Sequence, residues 1–342
     1  MKDFFIADAA SRENQVVTSY FCLASLTVRD GTRGQYLAIT LADKTGQLEA
    51  RMWEEFAESL VHCSEGCYVK VQGQISKYKG KFQITLTKMR LAAETEIETA
   101  DFVPTTQFDI DTMYAELIGY VDAFGNAHLR DLVHAFLDDE SVGPAFRVAP
   151  AAKRLHHAWI GGLLEHVLTL VRVCRATAPF YPEVDPELLV TGAILHDVGK
   201  VRELSWKSSF NYTLEGQLIG HISIAQGMLH EKVAALNARA IAEAGVEGNP
   251  PVLFPEKLRV LVEHMILAHH GKLEFGSPKL PMTPEAMLLS ALDDLEAKFQ
   301  AMRGEFAAAK AAGKGPGDVT EWVRSMERPL FDSQAWLKAD EL

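Results

Sequence analysis

At 342 residues the chain is long for one hydrophobic core and predicts two domains. Nearly half of it is apolar (48%) and 23% is charged, as in ordinary soluble globular proteins, and no run is long and apolar enough to span a bilayer as a helix. A net charge of −12 argues against indiscriminate coating of nucleic acid.

The first fifteen residues, MKDFFIADAASRENQ, read as an N-terminal arm (1–15). They have no sustained apolar run of the kind a secretion signal needs, so the expected address is cytoplasmic. Residues 16–98 read as strands. SYFCLASLTVRDG is rich in β-formers and stops at Asp-Gly, and QYLAITLADKTGQLEARMW is two strand-like runs around Asp-Lys-Thr-Gly. EEFAESLVH follows as a short helix. In VKVQGQISKYKGKFQITLTKM, Val69, Val71 and Ile75 share one face, and Phe82, Ile84 and Leu86 share a face of the return strand. Three strands, a helix and a hairpin turning at Lys79-Gly80 predict a five-stranded OB-fold barrel, a module that binds oligonucleotides.

This segment is also where the charge reverses. Residues 16–92 carry ten basic and seven acidic side chains, and the run from Lys70 to Arg90 holds six basic residues and no acidic one. Lysines can follow phosphates and aromatic rings can stack on bases. Lys77, Tyr78, Lys79, Lys81 and Phe82 on the hairpin, with Tyr36 and Trp53 on earlier strands, are the candidate strand-binding residues. Phe82 shares its face with Ile84, so a place in the core is open to it as well. The four cysteines make no disulfide framework, and Cys63 and Cys67 with His62 are a zinc-site fragment lacking a fourth ligand.

Residues 99–112, TADFVPTTQFDIDT, read as a linker. From 113 to 315 apolar residues recur at three and four, predicting an α-helical bundle, with loops expected at 238–255 and 311–318 and a tail at 316–342. Eleven of the twelve histidines lie between residues 128 and 270. His166 falls in an apolar helix, His196-Asp197 at the end of LLVTGAIL, His221 in IGHIS, His269-His270 at the end of ILAHH, and Asp293 in ALDDLEAK. Singly, each has a bland structural explanation. Together, imidazoles and carboxylates on the inward faces of one bundle are a divalent-metal ligand set.

The ordered His…His-Asp…Asp series resembles the HD-domain metal-dependent phosphohydrolases. HHAWIGGLLEHV, LHDVGK, GHI, HHG, SPKLPMTPEA and LDDLEAK behind an OB-fold are similar, more narrowly, to YhaM-type bacterial 3′–5′ exoribonucleases. The resemblance implies His166, His196, Asp197 and Asp293 as the basic metal ligands. It implies His221 and His269 or His270 for a second ion, Lys200 as a phosphate-contacting group, and a less certain substrate role for His156 and His157. Asp197, His196 and Lys200 then carry the chemistry. One or two divalent ions are implied, Mn²⁺ first by ligand type, with Co²⁺, Fe²⁺, Ni²⁺ or Mg²⁺ as alternatives. The expected activity is 3′–5′ hydrolysis of single-stranded RNA, with single-stranded DNA left open, to nucleoside 5′-monophosphates. No membrane partner is expected, and a homo-oligomer stays open. The alternatives are an HD phosphohydrolase of nucleotides or cyclic dinucleotides, its OB-fold used for assembly or sensing, and a non-catalytic binder with a structural metal. The chain lacks a GYP element after HHG, which argues against the cyclic-dinucleotide branch. Asp-Leu-Glu follows Asp293 where relatives have Asn-Leu-Asp, so Asp294 competes for the ligand position.

Overall fold

The computed structural model describes residues 2–31, 34–98, 101–153, 157, 159–206, 210–247 and 250–339. The chain divides into two compact units, Met1–Thr105 with Ser205–Asn211, and Thr106–Leu204 with Tyr212–Leu342.

The first unit is a closed five-stranded barrel. Its strands are β1 (Val16–Gly31), β2 (Gly34–Asp43), β3 (Gly46–Met52), β4 (Tyr68–Tyr78) and β5 (Lys81–Leu91), with α1 (Ala57–His62) between β3 and β4. The hydrogen-bonded order is β1-β2-β3-β5-β4, closed by pairing of β4 with β1; β3 and β5 run parallel, as the OB-fold requires. A register shift between Leu23 and Ser25 lets one long strand serve two partners. Val16–Cys22 pairs with β4 and Cys22–Gly31 with β2. A second shift, at Gln72/Gly73, needs glycine, because a Cβ at Gly73 would lie 2.4 Å from the Thr85 carbonyl oxygen. Period-two alternation sends Leu37, Ile39 and Leu41 of β2, and Val69, Val71 and Ile75 of β4, into one core with Ile84 and Leu86.

Residues 2–15 are packed onto this barrel rather than extended from it. Phe4 and Ala9 join its core, and Ile6 N–H donates to Asp43 Oδ2 at 2.9 Å. The Lys2 ammonium lies 3.2 Å from the same carboxylate, with both side chains buried.

The second unit is helical. It comprises α2 (Ile110–Asp122), α3 (Ala127–Leu137), α4 (Gly143–Val148), α5 (Gly162–Thr177), α6 (Pro186–Leu195), α7 (Lys200–Glu203), α8 (Leu214–Leu218), α9 (His221–Glu247), α10 (Glu256–Ala268), α11 (Pro284–Ala311) and α12 (Ser333–Ala339). Helix α6 is the central one. Every residue from Leu188 to Leu195 is buried, and α5, α10 and α11 pack around it. Asp185 caps it, accepting from the N–H groups of Glu187 and Leu188, and Pro186 opens it. Two helices run beyond the expected bounds. Helix α2 starts at Ile110, capped by Asp109 inside the stretch read as a linker, and α9 continues to Glu247 through residues read as a loop. Alanine keeps the stretch beyond residue 238 helical, and its single glycine, Gly245, costs only about 1 kcal/mol.

Candidate metal centre and strand-binding face

Five helices deliver the candidate ligands to one place. His166 projects from the middle of α5, His196-Asp197 ends α6, His221 opens α9, His269-His270 follows α10, and Asp293 sits midway along α11. His166 Nε2 is 3.3 Å from His196 Nε2, 3.3 Å from Asp293 Oδ1 and 3.7 Å from Asp197 Oδ2. The other Asp197 oxygen, Oδ1, faces His221 Nε2 at 3.4 Å and His269 Nε2 at 3.7 Å. Asp197 therefore lies between two groups of imidazoles, one on each oxygen. His270 joins the second group, with ligand atoms of His221, His269 and His270 within 4.8 Å of one another.

Each of these imidazoles is turned by its other nitrogen. His196 Nδ1–H donates to the Ala193 carbonyl (2.9 Å) and His269 Nδ1–H to that of Ile266 (2.8 Å). Both acceptors are last-turn carbonyls that a helix end leaves unpaired. His166 Nδ1–H donates to Glu296 Oε2 at 2.8 Å, His221 Nδ1–H to Glu203 Oε1 at 3.0 Å, and His270 Nδ1–H to the Phe275 carbonyl at 2.9 Å. A carbonyl or ionised carboxylate can only accept, so Nδ1 carries a proton and, in the neutral imidazole, the Nε2 lone pair points inward.

Three of the inward atoms lack partners. Asp197 Oδ1, His221 Nε2 and His269 Nε2 are buried with no hydrogen bond among the described residues. Leaving three such atoms unsatisfied would cost about 1–3 kcal/mol each. A divalent cation satisfies all three, so the donor set fits a metal, and the two groups offer positions for one or two ions. The field favours positive charge here: burial works to lower the His166 pKa, yet Asp293 and Glu296 overcome it and raise it to about 10. His269 shows the opposite, burial and the neighbouring His196 holding it well below the usual imidazole value. Lys200 Nζ lies 2.6 Å from Asp197 Oδ2, which brings an ammonium group into the centre. Asp294 points away and pairs with Lys298.

His157 has a different place from the one its substrate role requires. It is fully buried, at φ +52°, with Nε2–H on Glu296 Oε1 at 2.7 Å, so it supports Glu296 from behind. His156 lies outside the described residues. The His/Asp pattern does not pick out Glu296 and Glu203, although spacing marks them: each stands three residues after an inward side chain, Asp293 and Lys200 respectively, on the same helical face.

On the barrel, Lys79 (φ +49°) and Gly80 (φ +82°) form the two-residue turn joining β4 to β5, the backbone pattern of a type I′ hairpin. Lys77, Tyr78, Lys79 and Lys81 are exposed on it, while Phe82 is half-buried against the core. Tyr36 and Trp53 stack with ring centroids 4.6 Å apart. Arg51, unmarked by the sequence pattern, has its guanidinium 5.8 Å from the Tyr36 ring centroid and 5.5 Å from that of Tyr78.

An OB-fold barrel together with a helical bundle carrying a His/Asp centre defines the class: a nucleic-acid-binding module joined to an HD domain. Family profiles agree, "HD domain" matching residues 163–298 and "OB-fold nucleic acid binding domain" residues 23–92. The chain is 34% identical over 324 residues to "3'-5' exoribonuclease YhaM" of Geobacillus sp. (strain WCH70), covering 93% of each chain. It is 32% identical to the protein of that name from Halalkalibacterium halodurans, over 93% of this chain and 92% of the relative. The Bacillus subtilis (strain 168) protein is 33% identical, over 92% and 94%. The chain belongs to the YhaM 3′–5′ exoribonuclease family.

Proposed function

We infer that this protein is a metal-dependent 3′–5′ exoribonuclease that hydrolyses single-stranded RNA to nucleoside 5′-monophosphates. The observation that carries the reading is the convergence of His221 Nε2, His269 Nε2 and Asp197 Oδ1, buried and without hydrogen bonds among the described residues, in a chain that also bears an OB-fold with exposed rings and lysines. His166, His196, Asp197 and Asp293 hold one divalent ion, and His221, His269 and His270 offer a second position. A bound ion supplies Lewis acidity and a water of lowered pKa. Imidazole-rich coordination favours a transition ion such as Mn²⁺ over Ca²⁺.

The chain's own groups do the rest. Glu296 and Glu203 hold His166 and His221 in the tautomer that presents Nε2, and the last-turn carbonyls of α6 and α10 do the same for His196 and His269. The Lys200 ammonium, only 14% exposed, offsets charge on the phosphoryl oxygens where little water screens it. On the barrel, the Tyr36–Trp53 pair and Tyr78 offer flat faces to bases, and Lys77, Lys79 and Lys81 offer charge to phosphates. Stacking tolerates any base, which suits an exonuclease.

The test is incubation of 5′-end-labelled oligoribonucleotide with the protein and Mn²⁺. A ladder shortening from the 3′ end, abolished by EDTA and restored better by Mn²⁺ than by Ca²⁺, is expected. Turnover of free nucleotides with the RNA left intact would overturn the reading.

A further inference from the structure

The basic run of β4 and β5 is continuous in sequence but not in space. Its six cations fall into two groups. Lys77, Lys79 and Lys81 lie at the hairpin tip, where Lys77 pairs with Phe82 and Tyr78 with Lys81 in register. Lys70, Lys88 and Arg90 lie at the other end of the same two strands, where Lys70 pairs with Arg90 and Gln72 with Lys88. Seven residues of strand separate Lys70 from Lys77, roughly 23 Å at about 3.3 Å per residue.

Alternation explains why the second group faces outward together. Val69, Val71 and Met89 are buried, so Lys70, Gln72, Lys88 and Arg90 emerge on the opposite face. Thr18 of β1 pairs with Gln72 and extends the surface. These side chains and Thr87 line a cavity of about 700 Å³ on the barrel. Cations interleaved with hydroxyl and amide donors are the usual receptor for phosphate oxygens.

Among the described residues the counter-charges are few. Glu55 lines the cavity. Glu96 receives both Arg90 terminal nitrogens at 2.8 Å and the Tyr20 hydroxyl at 3.0 Å, and stands 3.8 Å from Lys70 Nζ. Lys88 is exposed and has no hydrogen bond or ion pair among the described residues. Among the described residues, three cations thus face two carboxylates, and one of those carboxylates occupies the donors that a phosphate would use.

We propose that this cavity is a second phosphate site, which takes a backbone phosphate of the same single strand that the hairpin tip engages, with Glu96 as the competing internal anion. The spacing suits one strand reaching both clusters, since single OB-folds engage about 4–16 nucleotides. A carboxylate that resumes its place on Arg90 and Lys70 keeps the contact weak and lets the strand move on. The proposal rests on the strand-binding reading above.

Two variants with opposite expected signs test it in the full-length protein. The probe is a fluorescent single-stranded 20-mer with phosphorothioate linkages, which keep one charge each and resist hydrolysis. Lys70→Gln with Lys88→Gln should weaken binding and reduce the log–log salt slope by about 1.4, at about 0.7 for each lost single-strand contact. Glu96→Gln should tighten binding several-fold, an effect that a merely destabilised barrel cannot produce. Replacing Lys77, Lys79 and Lys81 by Gln is the control for the underlying reading. If the tip variant loses affinity while the double variant and Glu96→Gln bind as wild type, the second site is refuted and strand binding stands. If all three bind as wild type, both fail. Titration of a nucleoside 5′-monophosphate identifies the source of the phosphate. Unchanged mononucleotide binding in the double variant supports the strand, whereas loss of mononucleotide binding with unchanged strand affinity overturns the proposal in favour of a product site.

Discussion

Replacing Glu296 by glutamine tests how far the centre depends on a residue that does not itself ligate. The Glu296 carboxylate accepts three N–H groups: His166 Nδ1 at 2.8 Å, His157 Nε2 at 2.7 Å and Gln300 Nε2 at 3.0 Å. An amide keeps the shape but has one accepting oxygen and one donating nitrogen. If the oxygen stays on His166, the amide nitrogen faces His157 and Gln300. His157 must then move its proton to Nδ1, whose nearest carboxylate, Glu165, is 3.9 Å away. Gln300 must turn over. If instead the nitrogen faces His166, the imidazole proton is forced onto Nε2 and the ligand lone pair is lost. Either way the negative charge behind His166 disappears. Changes to partners of ligating histidines typically cost 10–100-fold in metal affinity, about 1.4–2.8 kcal/mol at 1.4 kcal/mol per tenfold. The assay is calorimetric titration of the chelated, dialysed protein with Mn²⁺, with RNA decay followed in parallel and circular dichroism to report the helices. Affinity should fall by that factor with helicity unchanged. Mn²⁺ binding within twofold of wild type would refute the claim that Glu296 sets the orientation and basicity of His166.

Asp197→Ala or His196→Ala should abolish RNA hydrolysis while the apolar faces of α5, α6, α10 and α11 keep the bundle folded; a folded, metal-free variant that degrades RNA at the wild-type rate would defeat the ligand assignment. Changing Lys77, Lys79 and Lys81 to Gln should flatten the salt slope of RNA binding by about 2 and leave hydrolysis of a small activated phosphodiester unchanged. Equal loss of small-substrate turnover would mean that the hairpin supports the fold instead. Burial pushes the Lys2 ammonium down to about 8 from 10.5 against the pull of Asp43. Between those values the unfolded chain binds the extra proton, so folded stability should rise with pH from about 8 to 10.5, by up to about 3 kcal/mol. Urea midpoints of wild type and Lys2→Met compared across that range check it, since parallel curves would remove Lys2 as the cause.

Much of this protein is legible one residue at a time, because local periodicity is a local property. Alternation in β4 and β5, the Lys79-Gly80 turn and the three-and-four spacing of α5, α10 and α11 each arise from backbone geometry acting over a few residues. The candidate ligands were legible for a related reason, since imidazoles and carboxylates are conspicuous within apolar helices. Local pattern does not name a side chain's partner. Sequence alone could not show that Glu296 on α11 turns His166 on α5, because the two are 130 residues apart and meet only when α11 and α5 pack together. Nor could it show that Lys2 and Phe4 belong to the barrel, which depends on Asp43 being buried beneath them. His157 reads as a substrate contact beside His156, yet packing buries it completely, behind Glu296. The same holds for the six cations between Lys70 and Arg90. Their number is a property of the sequence, but strand register alone sorts them into a tip and a cavity about 23 Å apart. Which atoms face one another across the core is decided by long-range packing, and composition carries no record of it.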